Sequence, residues 1–440
     1  MPKASWVSWV EASRFEPGTA YAAFDRHNFG DMTPWVYRTQ DFGKTWTRIA
    51  GPSGPLRGYA HVIKEDTLKK DLLFLGTELG LFISVDGGRN WAEFRGGEFP
   101  RVAVRDLQIH PRDGDLVLAT HGRGIWIVDD LTPLRALSND VLAKDVAFVS
   151  GRPSQQRLFA GGGWSEGDAT FIGENPPSGA LITYYQRARH LYGPIELEVL
   201  DGQGKLVDAI PASTRRGLNR VTWTMQHKPP RVPRAATVTN WGSRGPRVMP
   251  GTYTVRLRKS DKAVESRIEI ALDRRATYSP DDRRKNYDAA LKVVALFGDM
   301  STLIDRIDAA QKGTAERTGK LAKGDPLVPR LAAVREKLEE VRRKIVTTKE
   351  GGAITGEERI REHTDYLYGA LLRYEGKPAE YQEARIGALR RELDDVQRDF
   401  DQLAATEVKA LDAALQERSL APIPTTAAVE TPRRTTAARE

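Results

Sequence analysis

A repeat with a period of about 45 residues occupies the first third of the chain and constrains its fold more than any other feature. Three aligned segments end at Asp41, Asp86 and Asp130, which are separated by 45 and then 44 positions. A short apolar run bounded by glycine, aspartate or proline precedes each segment. These runs are residues 18–24, 72–77 and 115–120. Such runs are typical of β-strands joined by tight turns, so the repeat predicts successive small antiparallel sheets.

Two of the three units contain the same turn motif, Ser/Thr-x-Asp-x-Gly-x-x-Trp. Its residues are Thr39, Asp41, Gly43 and Trp46 in the first unit and Ser84, Asp86, Gly88 and Trp91 in the second. In such a turn the carboxylate accepts backbone N–H groups, the glycine adopts a positive φ, and the tryptophan packs between sheets. The motif therefore predicts a structural role for both aspartates and not a catalytic one.

The motif resembles the Asp box of sialidases, sortilin-type receptors and xyloglucanase-type glycoside hydrolases. In addition, residues 76–80 and the stretch ATHGRGIWIVDDLTPL at 119–134 resemble the last blades of large bacterial BNR-repeat proteins, which are commonly labelled glycosyl hydrolases or sortilin-like. A period of about 45 residues is the length of one four-stranded propeller blade. The resemblance implies that residues 1–137 form a partial β-propeller of about three blades.

Three blades are too few to close a propeller ring, which in these families has about seven. An open wedge exposes strand edges and an apolar flank. We therefore expect either further blades upstream of Met1 or self-association of this chain through its first strands, around Trp6 to Phe15.

Residues 138–278 lack the repeat but keep the alternation of apolar and polar residues that is typical of a β-sandwich. The run 249–257 resembles a strand of immunoglobulin-like modules in bacterial surface and flagellar-hook-capping proteins, which implies such a module here. We favour a spacer or lid role for it over an independent ligand site. Residues 228–248, rich in proline, arginine and glycine, are predicted to form a long inserted loop.

The remainder of the chain is predicted to be helical over 279–420, with a disordered tail at 421–440. Ser279-Pro280 is a favourable helix start. Apolar residues spaced alternately three and four apart then form two seams, at 331–345 and 386–403. We expect antiparallel pairing within the chain, through breaks at 351–352 and 376–378, rather than a coiled coil with a partner.

The loops opposite the turn motifs are the candidate ligand-binding side of the propeller. They contain 25–31, Glu78, His121 and Arg123, and a mixture of carboxylate, imidazole and guanidinium groups suits sugar hydroxyls or carboxylates. The alternative is that His121 and Arg123 bond to the neighbouring blade and that Glu78 is merely solvated.

No catalytic pair is predicted within the chain. Asp129 and Asp130 are adjacent on a strand and point to opposite faces, while Asp113 and Asp115 belong to a turn. There are no cysteines, the seven histidines show no metal-ligand spacing, and no phosphate-binding loop occurs, so neither a metal nor a cofactor is expected.

Charge and hydropathy also restrict the partners. The 67 basic residues alternate with 59 acidic residues instead of forming one basic stripe, which argues against nucleic acid. No apolar run is long enough to span a membrane, and the N-terminus lacks a signal peptide.

Two functional hypotheses remain open. The first is a non-catalytic recognition or scaffold role with a carbohydrate or peptide ligand, as the sortilin-type resemblance implies. The second is a sialidase- or xyloglucanase-like glycoside hydrolase whose catalytic residues lie in blades upstream of this chain. Members of these families are exported, so the resemblance implies a periplasmic or extracellular location.

Overall fold

The computed structural model describes residues 2–96, 98–158, 177–349 and 357–426. It has mixed β and helical structure, in agreement with the coarse fold class predicted. The five sheets come first, with two short helices after the third sheet, and the longer helices follow. Among the described residues, no helix is long and apolar enough to cross a bilayer.

The repeat region forms three small antiparallel sheets, in each of which strands adjacent in sequence are hydrogen-bonded neighbours. The first contains β1 (Trp6–Ala12), β2 (Ala20–Arg26), β3 (Asp31–Thr39) and β4 (Thr47–Ala50). The second contains β5 (Ala60–Glu65), β6 (Leu73–Thr77), β7 (Gly80–Ser84) and β8 (Ala92–Glu93). The third contains β9 (Val104–Ile109), β10 (Leu116–Thr120) and β11 (Ile125–Val128). Each of the three predicted runs thus corresponds to the second strand of its sheet.

The three sheets stack face to face in chain order. We call the side of a sheet that points to the next repeat its forward face, and the opposite side its rear face. Between the first two sheets, forward residues Tyr21, Ala23 and Val36 share a core with rear residues Leu73, Leu75 and Phe82. Between the last two, forward residues Phe74 and Leu81 share a core with rear residues Leu116 and Leu118. Side chains alternate between the two faces of each strand, so each sequence run supplies both contacts.

The next region consists of two sheets with a common core, which we call the sandwich. Two short helices, α1 (Thr132–Arg135) and α2 (Asn139–Ala143), lead into it. One sheet has the order β12 (Val146–Val149), β14 (Ala180–Gln186), β17 (Gly217–Trp223). The other has the order β13 (Ser154–Gln156), β19 (Lys262–Leu272), β18 (Gly251–Lys259), β15 (Ile195–Leu200), β16 (Leu206–Pro211). Tyr184 and Trp223 from the first sheet pack against Val255 and Leu257 from the second.

The helices begin where the sequence predicts. Ser279 caps the first of them: its hydroxyl accepts the Asp282 N–H at 3.1 Å, and the Asp282 carboxylate accepts the Ser279 N–H at 3.2 Å. The helices are α3 (Pro280–Thr318), α4 (Leu327–Ile345), α5 (Ile360–Arg373), α6 (Glu380–Leu403) and α7 (Lys409–Gln416), with a π-helical segment at Ala404–Val408. The two apolar seams lie on α4 and α6 and are buried in one intramolecular core.

One of the two predicted breaks between helices lies within the described residues. Residues 376–378 separate α5 from α6, whereas the break expected at 351–352 lies outside the described residues. Residues 421–426, assigned from sequence to a disordered tail, instead pack on the helices because arginines on α3 bind their carbonyl groups. Arg317 donates to the carbonyl of Pro422 at 2.6 Å, and Ile423 is buried. The rest of the expected tail, 427–440, lies outside the described residues.

The long loop at 228–248 packs on the helices. The Asp365 carboxylate on α5 accepts the N–H groups of Asn240, Trp241 and Gly242 at 3.0, 3.1 and 2.7 Å. Trp241 lies so close to Gly369 that a Cβ there would meet the indole at 2.4 Å. Only glycine fits this contact between loop and helix.

A buried ion network lies where the loop, the helices and the sandwich meet. Glu375 pairs with Arg247 at 2.9 Å and with Arg283 at 3.2 Å, and Arg283 also donates to the carbonyl of Val248. Arg283 is 2% exposed. The sandwich and the helices are therefore joined by charges that have little contact with water.

Candidate functional site

The two motif turns have the same hydrogen-bond pattern. Asp41 accepts the backbone N–H of Thr45 at 2.8 Å, and Asp86 accepts that of Asn90 at 2.9 Å. The hydroxyl of Thr39 donates to Asp41 at 2.9 Å, as the Ser84 hydroxyl does to Asp86 at 2.8 Å. Both motif glycines have positive φ, 86° and 87°.

These bonds also affect the ionisation of the aspartates. Hydrogen bonds from Thr45 hold the pKa of Asp41 below its usual value. Burial opposes the same shift at Asp86, but the bonds from Asn90 outweigh it and lower the pKa there too. Both carboxylates thus accept hydrogen bonds within their turns, and the structural role predicted for them stays a prediction.

The two motif tryptophans differ in their partners. The Trp91 indole N–H donates to the carbonyl of Ile49 on the first sheet at 3.0 Å. The Trp46 indole N–H donates instead to Gly43 in its own turn, at 3.1 Å. The tryptophan of the second turn is thus hydrogen-bonded to the preceding repeat, whereas that of the first turn is hydrogen-bonded within its own turn.

The turns that join the second and third strands of each sheet lie at the opposite end of the strands from the motif turns, because consecutive strands are antiparallel. We call this the loop end; it contains His27, Glu78 and His121. It is the side on which the sequence placed the candidate ligand-binding residues.

A cluster of aromatic and charged side chains, contributed by all three sheets, surrounds Glu78 at the loop end. Tyr59 stacks on His27, with ring centroids 4.6 Å apart, and meets His61 edge-on at 4.7 Å. His61 Nε2 lies 2.8 Å from Glu78 Oε2, and Arg105 Nη2 lies 3.4 Å from the same oxygen. We call these five residues the loop-end cluster.

The hydrogen bonds of the loop-end cluster determine the protonation of its groups. Burial lowers the pKa of His61, which favours the neutral ring at neutral pH. Arg105 Nη1 donates to His61 Nδ1 at 3.3 Å, so the remaining ring proton is on Nε2 and is donated to Glu78.

Glu78 itself is ionised. Burial opposes ionisation, yet the bonds from His61 and Tyr59 and the charge of Arg105 keep its pKa below the usual value. Burial also raises the pKa of Tyr59, so its hydroxyl remains protonated. The cluster brings an anion, a cation and aromatic rings together. Tyr59 is buried, whereas the side chains of Arg105 and His27 are 43% and 42% exposed.

His121 and Arg123 are also at the loop end, and both are exposed. The His121 N–H donates to the carbonyl of Ala103, and the Arg123 carbonyl accepts the indole N–H of Trp126 at 3.0 Å. Within the described residues, neither side chain hydrogen-bonds to the loop-end cluster. The structure thus places Glu78 in a cluster, while ligand contact by His121 and Arg123 stays a prediction.

Three members of the loop-end cluster were not singled out from sequence: Tyr59, His61 and Arg105. They lie just before or within β5 and β9, where the alternation assigns them to a strand and gives no chemical signal. Only the stacking of three sheets brings them to Glu78.

A shallow groove of about 210 Å³ adjoins the loop-end cluster through Leu79. Its walls carry Phe94 and Phe99, whose rings meet edge-on at 5.7 Å, together with Arg95 and Arg101. Apolar rings flanked by guanidinium groups are a frequent composition of ligand clefts. Among the described residues, no group of three or more histidine, aspartate or glutamate side chains is arranged to hold a metal ion.

No family model and no curated protein matches the sequence. Among solved structures, the chain is similar to part of an ancestral GH74 enzyme, at 20% identity and a TM-score of 0.22, over 27% of this chain and 14% of that one. It is also similar to part of PorZ, a surface component of the type-IX secretion system of Porphyromonas gingivalis, at 15% identity and a TM-score of 0.22, over 59% and 30% of the two chains. For a GH74 enzyme of Niastella koreensis the identity is 12% and the TM-score 0.23, over 60% and 38%. The chain spans less than two fifths of the length of each of these proteins.

Proposed function

We propose that this chain is a non-catalytic recognition module, in which Asp-box blades of a partial β-propeller present a carbohydrate-binding site at the loop end. The observation that carries the proposal is the loop-end cluster, which combines a stacked tyrosine, an ionised carboxylate and an exposed guanidinium in one place. A peptide remains the second ligand class that such a surface suits.

The chemistry of the cluster favours an acidic sugar. The His27 ring, which stacks on the buried Tyr59 and is 42% exposed, offers its free face to the apolar face of a pyranose, and the carboxylate can accept bonds from hydroxyls. Arg105 is held 3.4 Å from Glu78, but its side chain is 43% exposed and has further N–H groups to offer. A sugar carboxylate bound there would form a charge-assisted pair.

The same contacts argue against hydrolysis by this chain. A glycosidase needs one carboxyl group that is protonated to act as the acid and a second that acts as base or nucleophile. Glu78 is ionised, and nearby Asp25 accepts bonds at 2.8 Å from both the backbone N–H and the Nδ1 of His27. The alternative function is therefore a glycoside hydrolase whose catalytic residues lie outside this sequence.

An exported location, periplasmic or extracellular, belongs to this proposal. It is supported by the resemblance of 119–134 to bacterial BNR-repeat proteins, and the proposed ligand is a class of molecule found at cell surfaces.

The test is binding of the purified chain to an array of neutral, sialylated and uronic-acid glycans. We expect Arg105→Ala and His27→Ala each to weaken binding of acidic glycans about tenfold or more, because each removes an exposed side chain of the cluster. Arg89→Ala is the matched control, since Arg89 is an exposed arginine in the second motif turn, at the other end of the sheet.

Two outcomes would overturn parts of the proposal. Equal binding by wild type and Arg105→Ala would remove the loop-end cluster as the site. Turnover of sialosides or β-glucans by the intact chain, lost on replacing an acid within 1–137, would replace recognition by catalysis.

A further inference from the structure

In the part of the chain that the structure describes, the two outermost faces of the sheet stack carry exposed apolar side chains. On the rear face of the first sheet, Ala22, Phe24 and Tyr37 form a small cluster with Trp35 and with Trp46, which directly precedes β4. Val7 and Val10 on β1 pair with Phe24 and Ala22, so they share this face, and they are 50% and 62% exposed.

The forward face of the third sheet is the other uncovered surface. Ile125 and Ile127 on β11 alternate with Trp126 and Val128, which pack toward the second sheet. The two isoleucines therefore point away from the stack, and they are 73% and 56% exposed. Exposed β-branched residues on a strand are unusual unless another surface covers them.

The repeat itself indicates what fits these faces. Inside the chain, a forward face packs on the next rear face twice, between sheets one and two and between sheets two and three. Ile125 aligns with Leu81, and Leu81 with Val36, and both of these residues are buried forward positions. Tyr37 aligns with Phe82, a buried rear position. Among the described residues, no other sheet packs on the rear face of the first sheet, and the third sheet has the forward face that matches it.

The motif tryptophans differ in the same way between the inner and the outer sheets. Trp91 donates to a carbonyl of the preceding sheet, whereas the indole N–H of Trp46, its equivalent, donates within its own turn. Trp46 would keep that bond against a third sheet, because in the described part of the chain the third sheet ends at β11 and has no counterpart of β4, the strand that carries Ile49.

We infer that two copies of this chain associate head to tail, with the forward face of the third sheet in one copy packed on the rear face of the first sheet in the other. The chain supplies both halves of the contact, so a second copy is sufficient as the partner. The contact is heterologous, because two different surfaces meet, and it would continue into a ring or a short filament.

Mass measurement by sedimentation velocity over a range of concentrations tests the association. We expect a concentration-dependent species of twice the monomer mass or more for the wild type. Val10→Glu spoils only the rear face and Ile127→Glu only the forward face, so each variant alone should be monomeric. Leu191→Glu is the control for an exposed apolar residue elsewhere, since Leu191 is 66% exposed and lies between β14 and β15, and it should leave the association unchanged.

Mixing the two variants makes the test specific for the head-to-tail contact. The Val10→Glu chain keeps an intact forward face, and the Ile127→Glu chain keeps an intact rear face. The mixture should therefore form a one-to-one dimer that neither variant forms alone, and it should grow no further. A monomeric wild type, association that survives either substitution, or failure of the mixture to dimerise would each overturn the inference. Circular dichroism of every variant establishes that it is folded, and Val7→Glu with Ile125→Glu forms a second pair if one variant is not.

Discussion

The sheet stack and the sandwich with its helices are stabilised by contacts of different range. In the stack, each motif turn has its own local hydrogen bonds, such as those of Asp86, and the apolar cores lie between successive sheets. In the sandwich and helices, charged groups far apart in sequence meet in buried positions, as Arg283 and Glu375 do. A stack of repeats resembles a one-dimensional array whose ends stay open. The C-terminal region instead closes on itself, so single substitutions should affect the two regions very differently.

The largest effect is expected from breaking the buried ion network of the C-terminal region. Glu375→Ala leaves Arg283 charged and almost fully buried, which should lower the free energy of unfolding by about 3–5 kcal/mol. Chemical denaturation measures this loss. Glu340→Ala, at an exposed position on α4, is the control and should change stability little. A small loss for Glu375→Ala would mean that water reaches the network.

The motif turns should show an intermediate effect. Asp86→Ala removes the acceptor for the Asn90 N–H and should cost about 1–3 kcal/mol in the free energy of unfolding. Asp41→Ala should cost less, because its turn is exposed at the open end of the stack. Asp86→Asn, which keeps one acceptor oxygen, should recover part of the loss. Equal losses at the two aspartates would contradict the difference between inner and outer repeats.

The two motif tryptophans test the same difference between the inner and the outer repeats. Trp91→Phe removes the N–H that bonds to Ile49 across two sheets and should lower the free energy of unfolding by about 1 kcal/mol. Trp46→Phe removes a bond within one turn and should cost less. Thermal unfolding of both variants measures the two losses, and a larger loss at Trp46 than at Trp91 would contradict this difference between the two turns.

The smallest effect is expected in the pH dependence of stability. Burial lowers the pKa of His61 in the stack and of His227 beside the helices below their usual value of 6.5. The unfolded chain then binds protons at a higher pH than the native chain does, so stability is full above about pH 6.5 and declines as the pH falls through the native pKa values.

Substituting each histidine in turn separates their contributions to the pH dependence of stability. His61→Gln and His227→Gln should each flatten the decline in the unfolding midpoint between pH 7 and pH 5. Carboxylates with lowered pKa values act only at lower pH, because their usual values are 3.8 to 4.5. An unchanged pH profile in both variants would assign the decline to other groups.

Local patterns in the sequence predicted much of the fold. The period of the repeat located the strands, and Ser279 with Asp282 located the first long helix, since both signals depend on nearby residues. The loop-end cluster was predicted only in part. Glu78 was identified, but His61 and Arg105 reach it from other strands, and no spacing rule specifies how three sheets stack.

Contacts between distant segments account for the other differences. Residues 421–426 have a composition typical of a flexible tail, yet Arg306 and Arg317 on α3 bind their carbonyl groups. In the same way, the Pro- and Arg-rich loop was predicted correctly as a loop, but its order depends on Asp365, more than a hundred residues later. Such partners can be recognised only in the folded molecule.

The hydrogen bonds between Asp365 and the long loop at 228–248 affect how readily a protease cleaves that loop. The loop contains Arg231, Arg234 and Arg244, each a cleavage site for trypsin. A protease needs an extended, detached segment of backbone, whereas Asp365 holds the N–H groups of 240–242 against α5. Cleavage of this loop therefore has to wait until it detaches from the helix, and the rate of nicking reports how often the loop detaches.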